Sequence, residues 1–342
     1  MILYNPIAKN SISHTIITIH YKMNHLDSLL GVKPRPFSLT ETKFDQTTFY
    51  GRWRYFMDLV NPVPLFYSVS KATEYKTLLE QYKSGQLSQV SDEELWYARQ
   101  VVQSTFHPDT GEAITRLFRF SAFGPANVPI MIGMLLSKKT AFSIPFWQAV
   151  NQTYNVGFNY SNRNINSPFT MGQLAFSYVL ATSSSVLIST YLDKLITKRG
   201  GTSTMIRTLG PATAVAIAGC FNLMVIRGRE LWDGIKVYDK EGNFLGMSKE
   251  AAYDGLSKTF AIRFGMQYPC CFWPVIMVGG MRKMGLYPAA GAGKIGAEVF
   301  ALCTTLYFVL TSCFASYPQM IECDKLEPHL VSPNKFYYNR GL

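Results

Sequence analysis

An uncharged run decides the fold of this chain, Thr208-Leu-Gly-Pro-Ala-Thr-Ala-Val-Ala-Ile-Ala-Gly-Cys-Phe-Asn-Leu-Met-Val-Ile226. A helix of this length crosses the hydrocarbon core of a bilayer, which is about 30 Å thick. Four more runs of at least eighteen residues also lack a charged side chain: Phe120–Ser137, Gly172–Leu192, Phe264–Met281 and Val299–Ile321. A charge at the centre of such a helix would cost roughly 2.5 to 3.5 kcal/mol to insert. The sequence therefore predicts a membrane protein with about five transmembrane helices.

The rest of the chain is polar, which keeps the mean hydropathy at +0.05. We predict an all-α membrane protein in which an amphipathic, amide-rich helix and a soluble helical head accompany the transmembrane helices. The predicted parts are an N-terminal extension (1–36), the head (37–117), a transmembrane domain (118–321) with a hydrophilic excursion (227–263), and a C-terminal tail (322–342).

Local signals support helices in the head. Asp58-Leu-Val-Asn-Pro-Val-Pro64 separates two helical stretches, because each proline disfavours helix at the residue before it. Ser91-Asp-Glu-Glu94 has the form of a capping box and predicts the start of an amphipathic helix that runs to about Phe106. Its candidate buried positions are Leu95, Val101, Val102 and Phe106.

The excursion has signals of its own. Val237–Gly246 places apolar residues on both sides of a Gly-Asn turn, which predicts a β-hairpin. Ser248 is then expected to cap a helix that leads toward the next uncharged run.

Composition narrows the function. The net charge of +11 comes from 33 basic and 22 acidic residues that are scattered along the chain, which favours contact with membrane lipid over nucleic acid. Five of the six cysteines fall within the uncharged runs, where we expect free thiols. The chain shows no disulfide framework, metal-ligand spacing or cofactor fingerprint. It also lacks a nucleophile elbow, so we expect neither an enzyme of the soluble type nor a bound metal or cofactor.

The first 36 residues contain one acid, Asp27, against four basic residues. This acid-poor composition is typical of organellar targeting segments. We nevertheless expect the segment to be retained as an extension that docks on a neighbouring molecule.

The block His107-Pro-Asp-Thr-Gly-Glu112 precedes the first uncharged run. Its three potential ligands suggest a metal or proton site, but Asp109 and Glu112 also have the spacing of a helix cap. We interpret His107, Pro108, Asp109 and Thr110 as a structural motif that caps the helix of the first run.

A segment between the first two runs carries amides where a surface helix would carry charges. Gln148, Gln152, Asn155, Asn159 and Asn162 recur at steps of three and four, which places them on one side of a helix. The opposite side carries Trp147, Val150, Tyr154 and Phe158. Uncharged amides suit either a water-filled pathway for a small polar solute or hydrogen bonds between membrane helices.

Polar residues and prolines also interrupt the uncharged runs. Pro125 and Asn127 lie early in the first run, and Asn222 lies late in the third. Broken helices that carry amides can bind a small zwitterion, because their ends present partial charges. A kinked but packed helix is the alternative explanation.

Several blocks of this chain resemble the sideroflexin family of mitochondrial inner-membrane proteins, and the resemblance extends from about Phe37 to the last residue. The blocks are Phe44-Asp-Gln-Thr-Thr-Phe-Tyr-Gly-Arg52, Glu94-Leu-Trp-Tyr-Ala98, Phe106-His-Pro-Asp-Thr-Gly-Glu112, Phe146-Trp-Gln148 with Asn151-Gln152, Asn159-Tyr-Ser-Asn-Arg163, Arg227-Gly-Arg-Glu-Leu231, Gly242-Asn-Phe-Leu-Gly246 and Tyr338-Asn-Arg-Gly-Leu342.

The resemblance implies about five membrane helices, an inner-membrane location and transport of a small neutral amino acid, with serine as the leading candidate. The predicted substrate-binding residues are Asn127, Gln148, Asn151, Asn155, Asn159 and Asn222. Their amides would bind the ammonium and hydroxyl groups of the solute, and backbone exposed at Pro125 would complete the site.

A second hypothesis is a non-transporting structural or assembly subunit of a respiratory-chain complex. The N-terminal extension would then contact other subunits of the complex, and the amide row would join helices. If the amide helix itself crosses the membrane, the number of spans becomes six, so the orientation stays open.

Overall fold

A computed structural model describes Asp27, Leu29 and most of the chain beyond them: residues 30–87, 89–108, 110–137, 140, 142–162, 170–198, 200, 204–324, 326–328, 330 and 335–341. Residues 1–26, which make up most of the predicted extension, lie outside this part of the chain.

Helices make up most of the described structure. In chain order they are α1 (Phe49–Leu59), α2 (Val69–Lys83), α3 (Asp92–Thr105), α4 (Phe123–Leu136), α5 (Ser143–Ser161), α6 (Met171–Lys198), α7 (Thr204–Arg227), α8 (Glu230–Asp233), α9 (Lys249–Gly265), α10 (Gln267–Lys283), α11 (Gly291–Thr304) and α12 (Leu310–Ala315). Single 3-10 turns occupy Val63–Phe66, Arg116–Phe118 and Phe120–Ala122, and a π-helical turn, Thr305–Val309, joins α11 to α12. The strands are β1 (Ile235–Tyr238), β2 (Phe244–Ser248), β3 (Met320–Cys323) and β4 (Phe336–Asn339).

The head contains the helices that its local signals predict. The Ser91 hydroxyl accepts a hydrogen bond from the Glu94 backbone N–H at 3.2 Å, as expected for the cap of α3. Leu95 and Val101 are fully buried, whereas Val102 and Phe106 are half-buried. The proline-rich segment separates α1 from α2 and forms a 3-10 turn.

Six helices of the second part of the chain contact one another in cyclic order. The order is α4, α5, α6, α7, α10 and α11, and α11 returns to contact α4. α6 and α7 pack most extensively, because small side chains line the contact on both helices. Buried small residues on these helices include Ala181 on α6 and Ala214 and Ala218 on α7.

Within the described residues, three helical segments are long and apolar enough to cross a membrane: Met171–Lys198, Thr208–Arg227 and Gly291–Ala315. The prediction of five spans is therefore not confirmed. α4 has 14 residues, because the 3-10 turn Phe120–Ala122 replaces the start of the first uncharged run, and α10 has 17 residues. The last membrane helix begins at Gly291, before the predicted Val299, and ends at Ala315, before the predicted Ile321.

The predicted β-hairpin is confirmed, but it belongs to a larger sheet that makes the all-α prediction incomplete. β1 and β2 pair antiparallel, with Val237 opposite Gly246. The sheet order is β2-β1-β4-β3, so the predicted C-terminal tail supplies β4 and pairs with the excursion. Val237, Ile321, Phe336 and Tyr338 form a buried cluster with Ala251 of α9. β4 pairs with β3 nearby in the sequence and with β1 about a hundred residues earlier, and local patterns do not indicate the distant partner.

Two arginines connect the head and the tail to the end of the last membrane helix. Arg52 of α1 donates from Nε to the Ala315 carbonyl at 2.8 Å. Arg340 is fully buried and donates to the carbonyls of Phe314, Tyr317 and Pro318 at 3.3, 3.1 and 2.9 Å. Cations at a helix C-terminus satisfy its free carbonyls and oppose its dipole. Burial lowers the pKa of Arg340 to about 10, so the side chain stays charged at neutral pH.

Ser248 caps α9 as predicted, and its removal should weaken that helix. The hydroxyl accepts from the Ala251 N–H at 2.9 Å, and Ser248 is fully buried. Replacing Ser248 with Ala should cost about 1 kcal/mol of unfolding free energy. Thermal unfolding in detergent measures the change, with Ser257→Ala on the exposed side of α9 as the control. Equal midpoints for the two variants would contradict the role of the cap.

Candidate functional site

The predicted site residues lie on three helices of the ring, of which α4 and α5 are adjacent, whereas α6 separates α5 from α7. Asn127 is on α4, Asn222 is on α7, and the other four residues are on α5. Asn127 is buried, and its Nδ2 donates to the Phe123 carbonyl one turn earlier at 2.8 Å. Its oxygen stays available to another donor, because this bond uses the amide nitrogen.

α5 does not have the open polar face that the sequence pattern suggests. Gln148 and Gln152 are buried, whereas Asn151, Asn155 and Asn159 are half-buried. Tyr154, on the side predicted to be apolar, is buried as well. The helix is therefore packed on both sides, and Asn155 and Asn159 lie on its more accessible part.

One direct bond joins the amide row to α6. The Ser185 hydroxyl donates to Oε1 of Gln148 at 2.7 Å, and both side chains are buried. Ser185 belongs to a buried stripe with Leu174, Ser177 and Ala181, which recur at steps of three and four. The sequence analysis missed these serines, although the spacing of small residues on the uncharged run could have identified them.

Three buried polar oxygens of α6 and α7 have no hydrogen-bond partner within the described part of the chain. They include Oγ of Ser177, which is fully buried, and Oδ1 of Asn222, which is 4% exposed, and a third such oxygen is Oγ1 of Thr182 on α6. A buried polar group without a partner costs about 1 to 3 kcal/mol. Such groups mark positions where a polar solute could bind, because its donors would satisfy them.

The aromatic side of α5 packs on α4 and on the residues before it. Trp147 donates from Nε1 to the Ser137 hydroxyl at 2.7 Å, and its ring lies against Gly133 of α4. Phe158 contacts the ring of Phe123 with centroids 5.2 Å apart. These contacts place α5 beside α4 along most of its length.

The prediction that Pro125 interrupts a helix is wrong. α4 begins at Phe123, so Pro125 lies in its first turn, where the missing N–H has no helical acceptor to lose. Exposed backbone at Pro125 therefore does not contribute to the site. Pro129 is the proline inside α4.

The His107 block is a structural motif, but it does not cap the helix of the first run. His107 N–H donates to the Glu112 carbonyl at 2.8 Å, and Gly111 N–H donates to the His107 carbonyl at 2.9 Å. Phe106 and Ala113 form a β-bridge, so Pro108 and Thr110 lie in a tight loop, ten or more residues before α4 begins. Asp109 lies outside the described residues. Within the described part, no group of three His, Cys, Asp or Glu side chains could hold a metal ion.

Hydrogen bonds and helix packing connect some of the predicted site residues but not all of them. Gln148 connects α5 to α6, and α6 packs on α7, which carries Asn222. Among the hydrogen bonds of the described residues, none joins Asn222 to an amide of α5. The fold and the buried amides define a helical membrane protein with uncharged polar groups between its helices.

Comparison with known proteins identifies the family. The family model described as Sideroflexins matches residues 38–342. Sideroflexin-5 of Homo sapiens is 35% identical over 317 residues, which cover 90% of this chain and 93% of that protein. Sideroflexin-3 of Rattus norvegicus is 34% identical and covers 92% of this chain and 100% of its own length. The sideroflexin of Dictyostelium discoideum is 32% identical, with 90% and 98% covered. No solved structure matches the chain. This chain belongs to the sideroflexin family.

Proposed function

We propose that this chain is a carrier that moves a small neutral amino acid, with serine as the leading candidate, across the inner mitochondrial membrane. Family membership and the three membrane-length helices support a membrane carrier. The uncharged lining suits a zwitterion, because amide and hydroxyl dipoles bind both of its charges without a full ion to desolvate.

The observation that carries this proposal is the set of unpartnered oxygens on α6 and α7, above all those of Ser177 and Asn222. Buried Asn and Gln in membrane proteins normally find partners on other helices, as Gln148 does with Ser185. Asn222 has none for its Oδ1 among the residues described, and neither does Ser177 for its Oγ. A solute ammonium or hydroxyl group would supply the missing donors.

A second candidate function is favoured by a different observation. The buried bond between Gln148 and Ser185 uses the amide row to join helices, which is what a non-transporting subunit of a respiratory-chain complex would need. The two candidates assign different roles to Asn222, so substitutions at Gln148 and Asn222 separate them.

Replacing Asn222 with Leu should reduce the uptake of labelled serine into reconstituted vesicles by at least about tenfold, because the solute loses a buried hydrogen bond. The thermal unfolding midpoint in detergent should stay the same or rise, since the substitution removes a polar oxygen that lacks a partner. Gln148→Leu is the matched comparison. It should lower the midpoint, because it leaves the buried Ser185 hydroxyl without its acceptor, at a cost of about 1 to 3 kcal/mol.

Gln103→Leu, at an exposed amide on α3 of the head, controls for the loss of an amide in general. Normal uptake by the Asn222 variant would remove Asn222 from the site. Absence of uptake by the unmodified protein, together with its stoichiometric recovery in a respiratory complex, would favour the second candidate.

A further inference from the structure

A buried guanidinium lies where the head meets the first helix of the ring. Arg119 is 2% exposed and follows the 3-10 turn Arg116–Phe118. Its Nε donates to the Ile114 carbonyl at 3.1 Å. Its Nη1 is buried and has no hydrogen-bond partner in the part of the chain that the structure describes.

The charges around Arg119 do not neutralise it. The ion pairs found among the described residues do not include Arg119, and the charged side chain that acts on it is a second cation, Arg116. Burial, with a smaller effect from Arg116, lowers the pKa of Arg119. A buried cation without an anionic partner is costly, and the arrangement is relieved when an anion binds.

A second unpartnered group lies on the same packed segment. Thr105, at the end of α3, is fully buried, and its Oγ1 has no partner among the described residues. The Ile114 N–H donates to the Thr105 carbonyl at 2.8 Å, while the Ile114 carbonyl accepts from Arg119. Ser104 precedes Thr105 and Ser121 lies two residues after Arg119. Their hydroxyls form a hydrogen bond with each other at 2.9 Å. Ile114 is therefore bonded to both Thr105 and Arg119, and each of these two residues carries a buried group without a partner among the described residues.

The amide helix holds the residues that directly precede Arg119. The Tyr154 hydroxyl donates to the Leu117 carbonyl at 3.4 Å, and Nδ2 of Asn162 donates to the Phe118 carbonyl at 2.8 Å. The Phe118 ring packs against Gly157 of α5. Arg119 therefore follows a segment that α5 holds in place, and it precedes α4, the helix that carries Asn127, by four residues.

We propose that Arg119 binds the α-carboxylate of the transported amino acid, with the Thr105 hydroxyl as a second donor. This inference rests on the proposed carrier function and supplies what its amides lack, a positive group for the carboxylate. The planar guanidinium matches the two oxygens of a carboxylate, and hydrogen bonds between charged groups are roughly twice as strong as neutral ones. Only 2% of Arg119 is exposed, which favours a small solute as the ligand. A lipid headgroup would need a site that is open to the membrane surface.

The test uses the full chain in phosphatidylcholine vesicles and compares Arg119→Gln with Arg116→Gln. Arg116 is exposed, so this control removes the same charge three residues away. Arg119→Gln should raise the KM for labelled serine by roughly 10- to 100-fold, the equivalent of one or two lost charged hydrogen bonds. Serinamide, which lacks the carboxylate, should then compete with serine about equally well in this variant but poorly in the unmodified protein. Arg116→Gln should leave both properties unchanged.

An unchanged KM and an unchanged preference for serine over serinamide in Arg119→Gln would overturn the inference and leave the carrier function intact. If Arg119→Gln does not fold, Arg119→Lys takes its place in the test. Lys keeps the positive charge but lacks the planar guanidinium with its paired donors, so this variant should show an intermediate KM.

If the unmodified protein takes up no amino acid, the carrier function fails, and thermal unfolding in detergent tests the site itself. Serine and acetate should then raise the unfolding midpoint of the unmodified protein and of Arg116→Gln, but not that of Arg119→Gln. A rise caused by anionic lipid alone, or no rise at all, would contradict a carboxylate site.

Discussion

Replacing Arg340 with Ala should lower the unfolding free energy by about 3 to 5 kcal/mol, the largest loss that we expect from a single substitution in this chain. The fully buried guanidinium donates to one carbonyl in the last turn of the last membrane helix and to two carbonyls just beyond it, and each of these bonds involves a charged donor. Ala would remove all three bonds and would open a cavity where the buried guanidinium lies. Thermal unfolding in detergent, followed by circular dichroism, measures the loss as a decrease of several degrees in the midpoint.

Arg229→Ala is the control for Arg340→Ala. The Arg229 side chain is 76% exposed and lies 3.4 Å from Asp233, so its removal should change the free energy by less than about 1 kcal/mol. Similar midpoints for the two variants would show that Arg340 does not hold the tail and the last helix together.

The second large effect is expected at the contact between α4 and α5. A Cβ on Gly133 would lie 2.1 Å from two atoms of the Trp147 ring, far inside van der Waals contact. The ring has little freedom to move, because its Nε1 is bonded to Ser137. Gly133→Ala should therefore cost roughly 1 to 3 kcal/mol or more by overpacking. It should also reduce serine uptake, because α5 carries most of the predicted site.

Gly219→Ala is the matched substitution on α7. A Cβ at Gly219 meets no atom within 4 Å, so this change should be neutral or stabilise the helix by up to about 1 kcal/mol. Parallel thermal unfolding of the two variants measures the difference. A Gly133→Ala protein as stable as Gly219→Ala would mean that α4 and α5 do not pack closely at this point.

Local patterns predicted the structure best where the responsible residues are close in sequence. Ser91 and Ser248 cap the helices assigned to them, and the Gly-Asn turn joins β1 to β2. In each case the donor, the acceptor and the turn lie within about ten residues. Neighbouring residues therefore carry the signal for these conformations, although distant residues also support them, as Glu327 does at the start of α9.

Predictions that depended on distant contacts were less successful. β4 pairs with β1 about a hundred residues earlier, and nothing near Phe336 indicates that partner. The His107 block was assigned to a helix cap, but two 3-10 turns delay the helix to Phe123. Spacing alone cannot distinguish a cap from a loop that is closed by its own backbone bonds.

The sequence predicts which residue types form the candidate site, but it does not predict which groups surround each side chain. The row of Gln and Asn on α5 identifies an uncharged polar surface, yet the sequence does not show that Gln148 is sealed by Ser185 while Asn222 keeps a free oxygen. That difference arises from the packing of α6 between its neighbours. Arg119 was missed for a similar reason, because a single arginine before an uncharged run resembles an ordinary interfacial charge.

Counterflow in reconstituted vesicles tests the central claim most directly. Vesicles that contain the purified chain and are preloaded with unlabelled serine should accumulate external labelled serine far above the level in vesicles without protein. Accumulation should be reduced by Asn222→Leu and unaffected by Gln103→Leu. Equal label in vesicles with and without the protein would contradict a carrier, and the buried amides would then serve to join helices.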